Sequence, residues 1–283
     1  MNSRQWPARP PARLATPMTQ EILVLGATGK TGRRVVHSLE AAGATTRKAS
    51  RATGFDWNDH TTWKPFLQNV RAAYVIAPED PSAATPFVEL ATTSGVQRLV
   101  LLSGRGLDKT PPEIFQGMHA AEHAVRSGPI PWTILRANNF NQNFSEQVWH
   151  PEIKAGRLSL PVDDTPEPFV DVHDIAEVST LALLGDHAGQ TYDLTGPESI
   201  TFTTAVAKIS AATGSRIELA ELTPAEYREA LLSHGLPEEV ATELNGMFEG
   251  MRNGLMTNPT DDIPRLLGRP AKSFDTYVSE TWR

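Results

Sequence analysis

The sequence predicts an α/β fold, a doubly wound parallel sheet followed by a smaller, mainly helical C-terminal lobe. From residue 20 onward, short apolar segments alternate with amphipathic helical segments, which is the order of parallel strands joined by helical crossovers. The apolar segments lack the alternation of a strand with one solvated face, so we expect helices to cover both faces of the sheet. A glycine-rich stretch after the first strand supports the same fold.

The first 150 residues carry this regular alternation. Apolar runs predict strands at 22–25, 45–50, 73–77, 99–102 and 132–135. Helical patterns run from the first strand to about residue 42 and lie near 59–69, 84–95 and 112–127. The helices thus separate successive strands, as in the crossover units of a parallel sheet.

The pattern changes after residue 150. Prolines at 161, 166 and 168 interrupt a stretch that we interpret as a loop. A helix at 174–184 and a late strand at 191–194 follow, and 200–283 is largely helical with one strand candidate at 216–221. We predict that this part packs over the carboxyl ends of the main strands.

Composition excludes several classes of function. The 283-residue chain has no cysteine, which rules out disulfides, thiolate zinc sites and cysteine nucleophiles. A net charge of −7 argues against nucleic acid as a partner. No apolar run approaches the roughly 18 residues of a membrane span, so no membrane association is expected. We expect a cytoplasmic protein, monomeric or homodimeric, that acts on a small-molecule substrate.

The segment ILVLGATGKTGRRVV joins a strand, a tight turn and a helix. Its three glycines lie three residues apart, a spacing that permits the turn and lets backbone N–H groups approach a pyrophosphate. The phosphate then lies at a helix N-terminus, where the helix dipole favours an anion. The segment predicts a Rossmann-type dinucleotide site formed by Gly26, Ala27, Thr28, Gly29, Lys30, Thr31 and Gly32.

These patterns divide the chain into three predicted parts. Residues 1–18 contain three arginines and four prolines without periodicity, which indicates a disordered extension. A targeting role, or a start at Met18, is the alternative for this extension. Residues 19–155 form the predicted Rossmann domain, and 156–283 form a substrate lobe that returns sheet elements at about 169–195.

The second strand indicates which dinucleotide is bound. An acidic residue about 20 residues after the turn would bind the ribose hydroxyls of NAD, but the strand ends Lys48-Ala49-Ser50-Arg51. Arginine matches a phosphate with its planar guanidinium, so Arg51 is placed to bind the 2′-phosphate of NADP. We predict NADP as the cofactor. NAD is the alternative if Arg51 is only a solvated surface residue.

Further motifs carry a resemblance to a known family. Besides the glycine-rich turn, they are LLSG at 101–104, the stretch from His119 to Glu122, WTILRANNFNQNF at 132–144, FVDVHDIAEV at 169–178 and QTYDLTGPESIT at 190–201. Together they resemble the NmrA-like atypical short-chain dehydrogenases over about residues 20–283. The resemblance implies NAD(P)H-dependent reduction of quinones or iminium compounds, and the run FDWNDHTTW at 55–63 is most similar to the iminium reductases. Redox-sensing members bind the dinucleotide without turnover.

The resemblance also implies which residues bind the cofactor. The glycine-rich turn would hold the pyrophosphate. Asp56 and Trp57 would lie near the adenine, and Ala77 along the adenosine. Ser103 would face the nicotinamide end, with Asn138 beside it.

The substrate pocket is expected beside the same turn. Asn139, Phe140 and Asn143 are the residues that we predict to line it, with helices near 223–256 covering it. Related sequences usually have a proline where this chain has Ala137, so the resemblance does not fix the backbone path at this point.

The usual catalytic pair of short-chain dehydrogenases is changed here. Those enzymes use a tyrosine as proton donor and a lysine four residues later, and the corresponding residues are Phe115 and His119. Phenylalanine cannot donate a proton, so we expect hydride transfer to an acceptor that needs little acid catalysis. His119 is predicted to bind the ribose or relay a proton, and Ser103 is the second catalytic candidate. The alternatives are a surface His119 paired with Glu122 and a Ser103 that only forms a turn.

Two other polar patterns have a structural and a chemical interpretation. Residues 119–123 spell H-x-x-E-H, a zinc-peptidase signature, but they lie on a predicted crossover helix, so we predict no metal. Asp171, His173 and Asp174 suggest a metal site or a charge relay. We favour a helix cap for this second group.

The leading hypothesis is therefore an NADPH-dependent reductase of a small apolar acceptor. The runner-up is a non-catalytic dinucleotide sensor, which the missing tyrosine supports. An isomerase or epimerase on the same fold is a third hypothesis. A group of apolar residues is expected to form core or pocket wall: Met247, Phe248, Met251, Leu255 and Met256.

Overall fold

The computed structural model describes residues 21–146 and 149–282. The strands are β1 (Glu21–Leu25), β2 (Thr46–Ala49), β3 (Val70–Ile76), β4 (Arg98–Gly104), β5 (Trp132–Ala137), β6 (Arg157–Leu160), β7 (Gln190–Leu194) and β8 (Glu218–Glu221). The α-helices are α1 (Gly32–Ala41), α2 (Trp63–Leu67), α3 (Ala84–Thr93), α4 (Gln116–Ser127), α5 (His150–Lys154), α6 (Val172–Leu184), α7 (Phe202–Thr213), α8 (Pro224–Ser233), α9 (Glu238–Arg252), α10 (Asp262–Leu267) and α11 (Phe274–Thr281).

Six of these strands form one parallel sheet in the order β2-β1-β3-β4-β5-β7. From β1, the chain adds β2 on one side and then continues from β3 on the other side. The direction of winding therefore reverses between β1 and β3. Ligands bind in such sheets beyond the carboxyl ends of the strands at this reversal. The predicted doubly wound fold is confirmed.

Helices cover both faces of the sheet, as the apolar strands predicted. On one face, Val35 and Leu39 of α1 and Ile175 of α6 are fully buried in a single apolar cluster. On the opposite face, Phe87 of α3 and Val125 of α4 are at most 2% exposed in a second cluster. The two clusters hold the carboxyl ends of the strands in fixed relative positions.

A third apolar core lies in the C-terminal lobe and is built around aromatic rings. The ring of Phe144 lies 4.8 Å from that of Trp149, 5.4 Å from Phe169 and 5.5 Å from Phe274, measured between centroids. Phe144 comes from the segment that follows β5. The loop after β5 is therefore anchored in the core of the lobe.

Two elements differ from the sequence prediction. Strand β6 lies directly before the predicted proline-rich loop, where no strand was predicted, and it forms because it pairs in parallel with β8, far along the chain. The helix predicted at 112–127 begins only at Gln116. Phe115 has a φ of 57°, and this left-handed backbone cannot continue an α-helix.

The apolar group predicted at 247–256 divides between interior and surface. Phe248 and Met251 are buried in the lobe core, as the prediction of core packing required, whereas Leu255 is 36% exposed. The predicted extension at 1–18 lies outside the described residues, and the division of the chain near residue 155 stays a prediction. Across the described residues, no helix combines the length and apolarity needed to cross a lipid bilayer.

The start of α1 yields a test of this packing. A Cβ atom on Gly32 would lie 2.1 Å from the carbonyl oxygen of Gly26, a backbone atom that cannot move aside. Gly32→Ala is therefore expected to lower the free energy of unfolding by about 1–3 kcal/mol or more. Gly250→Ala is the matched control, because its Cβ would meet only Leu255 Cδ1, at 3.6 Å. The control should gain about 0.5–1 kcal/mol from helix propensity. Urea denaturation measures both, and a Gly32→Ala protein as stable as the wild type would contradict the assigned packing.

Candidate cofactor and active site

The glycine-rich turn leaves β1 and enters α1 with several backbone donors free. Gly26 has a φ of 64°, and its carbonyl accepts a hydrogen bond from the Gly29 N–H at 2.8 Å. Among the contacts of the described residues, the N–H groups of Thr28, Lys30 and Thr31 donate to no protein acceptor. Free donors at a helix N-terminus attract an anion. The turn therefore has the donors that a pyrophosphate requires.

Arg51 lies beside this turn, at the carboxyl end of β2. It opens a short 3-10 helix, Arg51–Thr53, and its side chain is exposed. Within the described part of the chain, the guanidinium forms no ion pair, whereas the neighbouring Arg47 binds Glu21. A guanidinium without an ion-pair partner is able to bind a phosphate group, so the role predicted for Arg51 stays a prediction.

The residues predicted near the adenosine lie at the same sheet edge. Ala77 directly follows β3 and is half-buried. The carboxylate of Asp56 accepts the N–H of Asn58 at 2.9 Å. The indole of Trp57 packs on Phe87, with 4.9 Å between ring centroids. These contacts hold Trp57 in an aromatic cluster, so it contributes a rigid wall on this side of the crevice.

The turn after β5 closes the other side of the crevice. Asn138 is 3% exposed; its side-chain amide donates to Glu167 at 2.7 Å, while its Oδ1 atom is buried without a partner. The amide nitrogen of Asn139 lies 3.4 Å from Met251 Sδ on α9. The turn is thus held between the sheet and the lobe. A buried polar atom without a hydrogen-bond partner is unusual, and in this position it marks Asn138 as a candidate ligand-binding residue.

A side-chain contact joins the two turns. Lys30 Nζ donates to Asn143 Oδ1 at 2.6 Å and lies 5.9 Å from the centroid of the Phe140 ring. Burial lowers the pKa of Lys30 to about 8, with Arg34 and Arg33 lowering it further and Glu146 raising it. The structure therefore brings the predicted phosphate turn next to two of the predicted pocket residues.

Ser103 ends β4, but its hydroxyl is directed at a carboxylate. Ser103 Oγ donates to Glu122 at 2.7 Å, and Arg136 of β5 binds the same carboxylate at 2.9 and 2.8 Å. Burial raises the pKa of Glu122, but the hydrogen bonds from Arg136 and Ser103 outweigh it, so the pKa lies below its ordinary value. Glu122 thereby fixes α4 against two strands. Contact of Ser103 with a nicotinamide stays a prediction.

His119 lies one turn before Glu122 on α4. Its Nε2 atom forms no hydrogen bond with Glu122. The Nε2 atom of His119 is buried without a hydrogen-bond partner, whereas His123 is exposed. Glu122 is held by arginines, so the residues of the H-x-x-E-H pattern do not converge on one point. Among the described residues, no group of three histidine or acidic side chains could hold a metal ion.

Phe115, which we predict to correspond to the usual catalytic tyrosine, is the N-cap of α4 and has a strained backbone conformation. A left-handed backbone in a bulky residue is costly and persists only where its surroundings impose it. One such constraint is Gly117, where a Cβ would lie 2.0 Å from the carbonyl oxygen of Pro78. The start of α4 is therefore pressed against the segment after β3.

The cluster of Asp171, His173 and Asp174 caps a helix, as predicted. Asp171 is the N-cap of α6 and accepts the backbone N–H of His173 at 2.8 Å. Gln142 donates to the other Asp171 oxygen at 2.9 Å. This cap therefore also fixes the segment after β5.

Glu167 is the residue of this site that the sequence did not indicate. It is fully buried, its Oε2 atom accepts from Asn138, and its Oε1 atom has no partner. Burial raises its pKa to about 7, although Asn138, Asn139 and the charge of Arg105 act in the opposite direction. The only sequence signal is an acidic residue between two prolines, Pro166 and Pro168, and that signal does not distinguish a loop from a buried carboxyl.

Glu167 gives a pH-dependent prediction. The folded protein keeps this proton up to about pH 7, whereas the unfolded chain loses it near the ordinary glutamate pKa of 4.5. Stability from this group is therefore complete below pH 4.5 and falls as the pH rises to 7. Glu167→Gln should match the wild type near pH 5 and exceed it near pH 8 by on the order of 2–3 kcal/mol.

Denaturation at both pH values measures this difference. The exposed Glu198→Gln is the control and should follow the wild-type profile at each pH. A Glu167→Gln protein whose stability parallels the wild type from pH 5 to 8 would show that Glu167 is not protonated in the folded state.

Two relatives match nearly the whole chain. An uncharacterized oxidoreductase of Bacillus subtilis, YesF, is 31% identical over 273 residues, covering 91% of this chain and 94% of the relative. The (4-alkanoyl-5-oxo-2,5-dihydrofuran-3-yl)methyl phosphate reductase of Streptomyces griseus is 31% identical over 280 residues, covering 92% and 97%.

Solved structures share the fold at lower identity. NADPH-dependent quinone oxidoreductase QOR2 from Escherichia coli, complexed with NADPH, has a TM-score of 0.76 at 21% identity, covering 93% of this chain and 100% of its own. Triphenylmethane reductase from Citrobacter sp., complexed with NADP(H), scores 0.74 at 19% identity, covering 92% and 99%. Nmra, a negative transcriptional regulator, scores 0.66 at 17% identity, covering 93% and 96%. Residues 18–263 match the model of the NmrA-like family, and the chain therefore belongs to that family.

Proposed function

We propose that the protein is an NADPH-dependent reductase that transfers a hydride to a small, apolar, electron-poor acceptor such as a quinone or an iminium compound. The observation that carries this proposal is the contact between the glycine-rich turn and the turn after β5, made by Lys30 and Asn143 at 2.6 Å. A dinucleotide held on the first turn would end beside the second. The cofactor and an acceptor can then meet in one crevice.

The residues of the crevice suit each part of the cofactor. The free amides of the glycine-rich turn would bind the pyrophosphate, and Arg51 the 2′-phosphate. Asp56, Trp57 and Ala77 would form the adenosine side. Asn138 would offer its unpartnered Oδ1 atom to the nicotinamide end, and His119 its buried Nε2 atom to the ribose.

The absence of the tyrosine limits the chemistry that we assign. When bound, a reduced nicotinamide supplies a hydride. Phe115 cannot protonate an alkoxide, so acceptors that stabilise the incoming electron pair themselves are favoured. Asn139, Phe140 and Asn143 would position such an acceptor. The relatives support this choice, because their names include a reductase of an unsaturated lactone phosphate and reductases of quinones and triphenylmethane dyes.

A non-catalytic dinucleotide sensor is the second candidate. Phe115 at the tyrosine position favours it, and one structural neighbour is a transcriptional regulator. The sensor and the reductase share the cofactor site. They differ only in whether the protein reduces an acceptor.

NADPH oxidation with a panel of quinones, cyclic imines and triphenylmethane dyes tests the reductase. We expect turnover with at least one acceptor class, together with tight NADPH binding by calorimetry. Tight binding with no turnover on any acceptor would favour the sensor. Absence of binding to any nicotinamide nucleotide would contradict both functions.

Arg51 predicts the preference between the two dinucleotides. Hydrogen bonds to charged groups contribute about 1.5–3 kcal/mol, so Arg51→Ala should raise the Kd for NADPH by about 10- to 100-fold. The Kd for NADH should change little, because NADH lacks the 2′-phosphate. Arg216→Ala, an exposed residue of the lobe, is the control. Equal weakening for both nucleotides in a fluorescence titration would remove this assignment.

A further inference from the structure

The backbone and the side chain of Lys30 serve different parts of the site. Its N–H group belongs to the glycine-rich turn, but its side chain leaves that turn and reaches the segment after β5. There, Nζ donates to Asn143 Oδ1 at 2.6 Å and lies 5.9 Å from the Phe140 ring centroid. The ammonium therefore lies beside two residues that line the proposed acceptor pocket.

Among the described residues, Lys30 forms no ion pair with a carboxylate. Arg33 and Arg34 on α1 both bind Glu146, the latter at 2.6 Å. The Arg34 side chain also donates to His173 at 3.4 Å and to the Lys30 carbonyl at 2.9 Å. Glu146 is thus occupied by two arginines, and Nζ of Lys30 is bound by a neutral amide.

Such an environment makes the ammonium a better acid than an exposed lysine. Burial lowers the pKa of Lys30 to about 8, and the neighbouring arginines act in the same direction. A proton donor is most effective when its pKa lies near the working pH. The contacts of Lys30 and its lowered pKa both describe a side chain that can release a proton near neutral pH.

We propose that Lys30 is a catalytic residue whose ammonium donates the proton that accompanies hydride transfer to acceptors reduced at oxygen or nitrogen, quinones in particular. The assignment rests on the proposed reductase function. It gives the site a donor in place of the tyrosine that Phe115 replaces. Ser103 is a further candidate proton donor, but its hydroxyl already donates a hydrogen bond to Glu122.

Reduction of a quinone requires one hydride and one proton. The quinone gains the hydride and becomes a hydroquinone monoanion, and the reduced nicotinamide that supplies the hydride is oxidised. The Nζ–H bond of Lys30 breaks, and the proton forms an O–H bond on the phenolate oxygen. The neutral amine then regains a proton from water. A cationic triphenylmethane dye, in contrast, becomes neutral on gaining the hydride and needs no proton.

This difference between acceptors defines the experiment. Lys30→Met removes the proton donor, and Lys30→Arg keeps the charge but not an acid of suitable pKa. Lys64→Met, an exposed lysine on α2, is the matched control. Turnover is measured with a naphthoquinone and with a cationic triphenylmethane dye, and the NADPH Kd is measured by calorimetry.

We expect a selective loss. General acid catalysis contributes about 100-fold or more, so kcat with the quinone should fall by about this factor in both Lys30 variants. The kcat with the dye should change by less than about threefold, or rise in Lys30→Met as the like charge disappears. The wild-type quinone rate should decline above about pH 8, where the ammonium is lost, and this decline should be absent in Lys30→Met.

A readout without the cofactor tests the same property. Amine acylation by acetic anhydride proceeds through the neutral lysine, so labelling of Lys30 should rise around pH 8. Site-resolved mass spectrometry measures the labelling of Lys30 as a function of pH.

Several results would overturn the assignment. Equal losses with quinone and dye, accompanied by weaker NADPH binding, would make Lys30 a cofactor ligand only. Unchanged quinone turnover in Lys30→Met, or a wild type that reduces only the dye, would remove its role as an acid. If the wild type reduces only quinones, the comparison with the dye is lost and the pH profile is the test. A wild-type rate that does not decline above about pH 8, or the same decline in Lys30→Met, would then contradict the assignment. A wild type that binds NADPH but reduces no acceptor would contradict the proposed function itself, and the Lys30 assignment with it.

Discussion

The close approach of α1 to the turn that precedes it is the constraint on which the rest of the site depends. The Cα of Gly32 lies so near the carbonyl of Gly26 that a Cβ atom would overlap it. This contact holds the start of α1 against the turn whose amides have no protein acceptor among the described residues. The turn carries Lys30, and the helix carries Arg33 and Arg34, toward the segment after β5. One backbone contact thus positions both the anion site and the residues that hold the opposite wall.

Three carboxylates near the crevice show how the structure manages buried charge. Glu122 and Glu146 are each bound by two arginines, so both remain ionised and fix α4 and the loop after β5. Glu167 is bound by a neutral amide, and burial favours its protonated form. An unpaired buried charge is far more costly than a neutral carboxyl. The ion pairs of Glu122 and Glu146 therefore hold α4 and the loop after β5 in place. Glu167 and Lys30 form no such pairs, and both can gain or lose a proton near neutral pH.

The C-terminal lobe contacts the main sheet and the segment after β5 near the proposed acceptor pocket. Arg105, directly after β4, donates to the carbonyls of Met256 and Asn258 at 2.8 and 2.6 Å. Met251 of α9 touches Asn139, and Phe144 is buried in the lobe core. Substitutions in α9 would therefore alter the acceptor pocket without touching the glycine-rich turn. If the protein is the reductase that we propose, this arrangement would let the acceptor pocket change while the dinucleotide site stays the same.

Local patterns in the sequence determined the main sheet, its helical cover, the glycine-rich turn and the cap at Asp171, because each depends on residues close together in the chain. They also placed Arg51 at the end of β2. Tertiary structure alone decided the rest: β6 exists through pairing with distant β8, Ser103 turns toward Glu122, and Glu167 is buried under Asn138. Lys30 meets Asn143 although 113 residues separate them. Periodicity reports which face of an element is apolar, but the partner of a polar side chain is set by how distant elements pack.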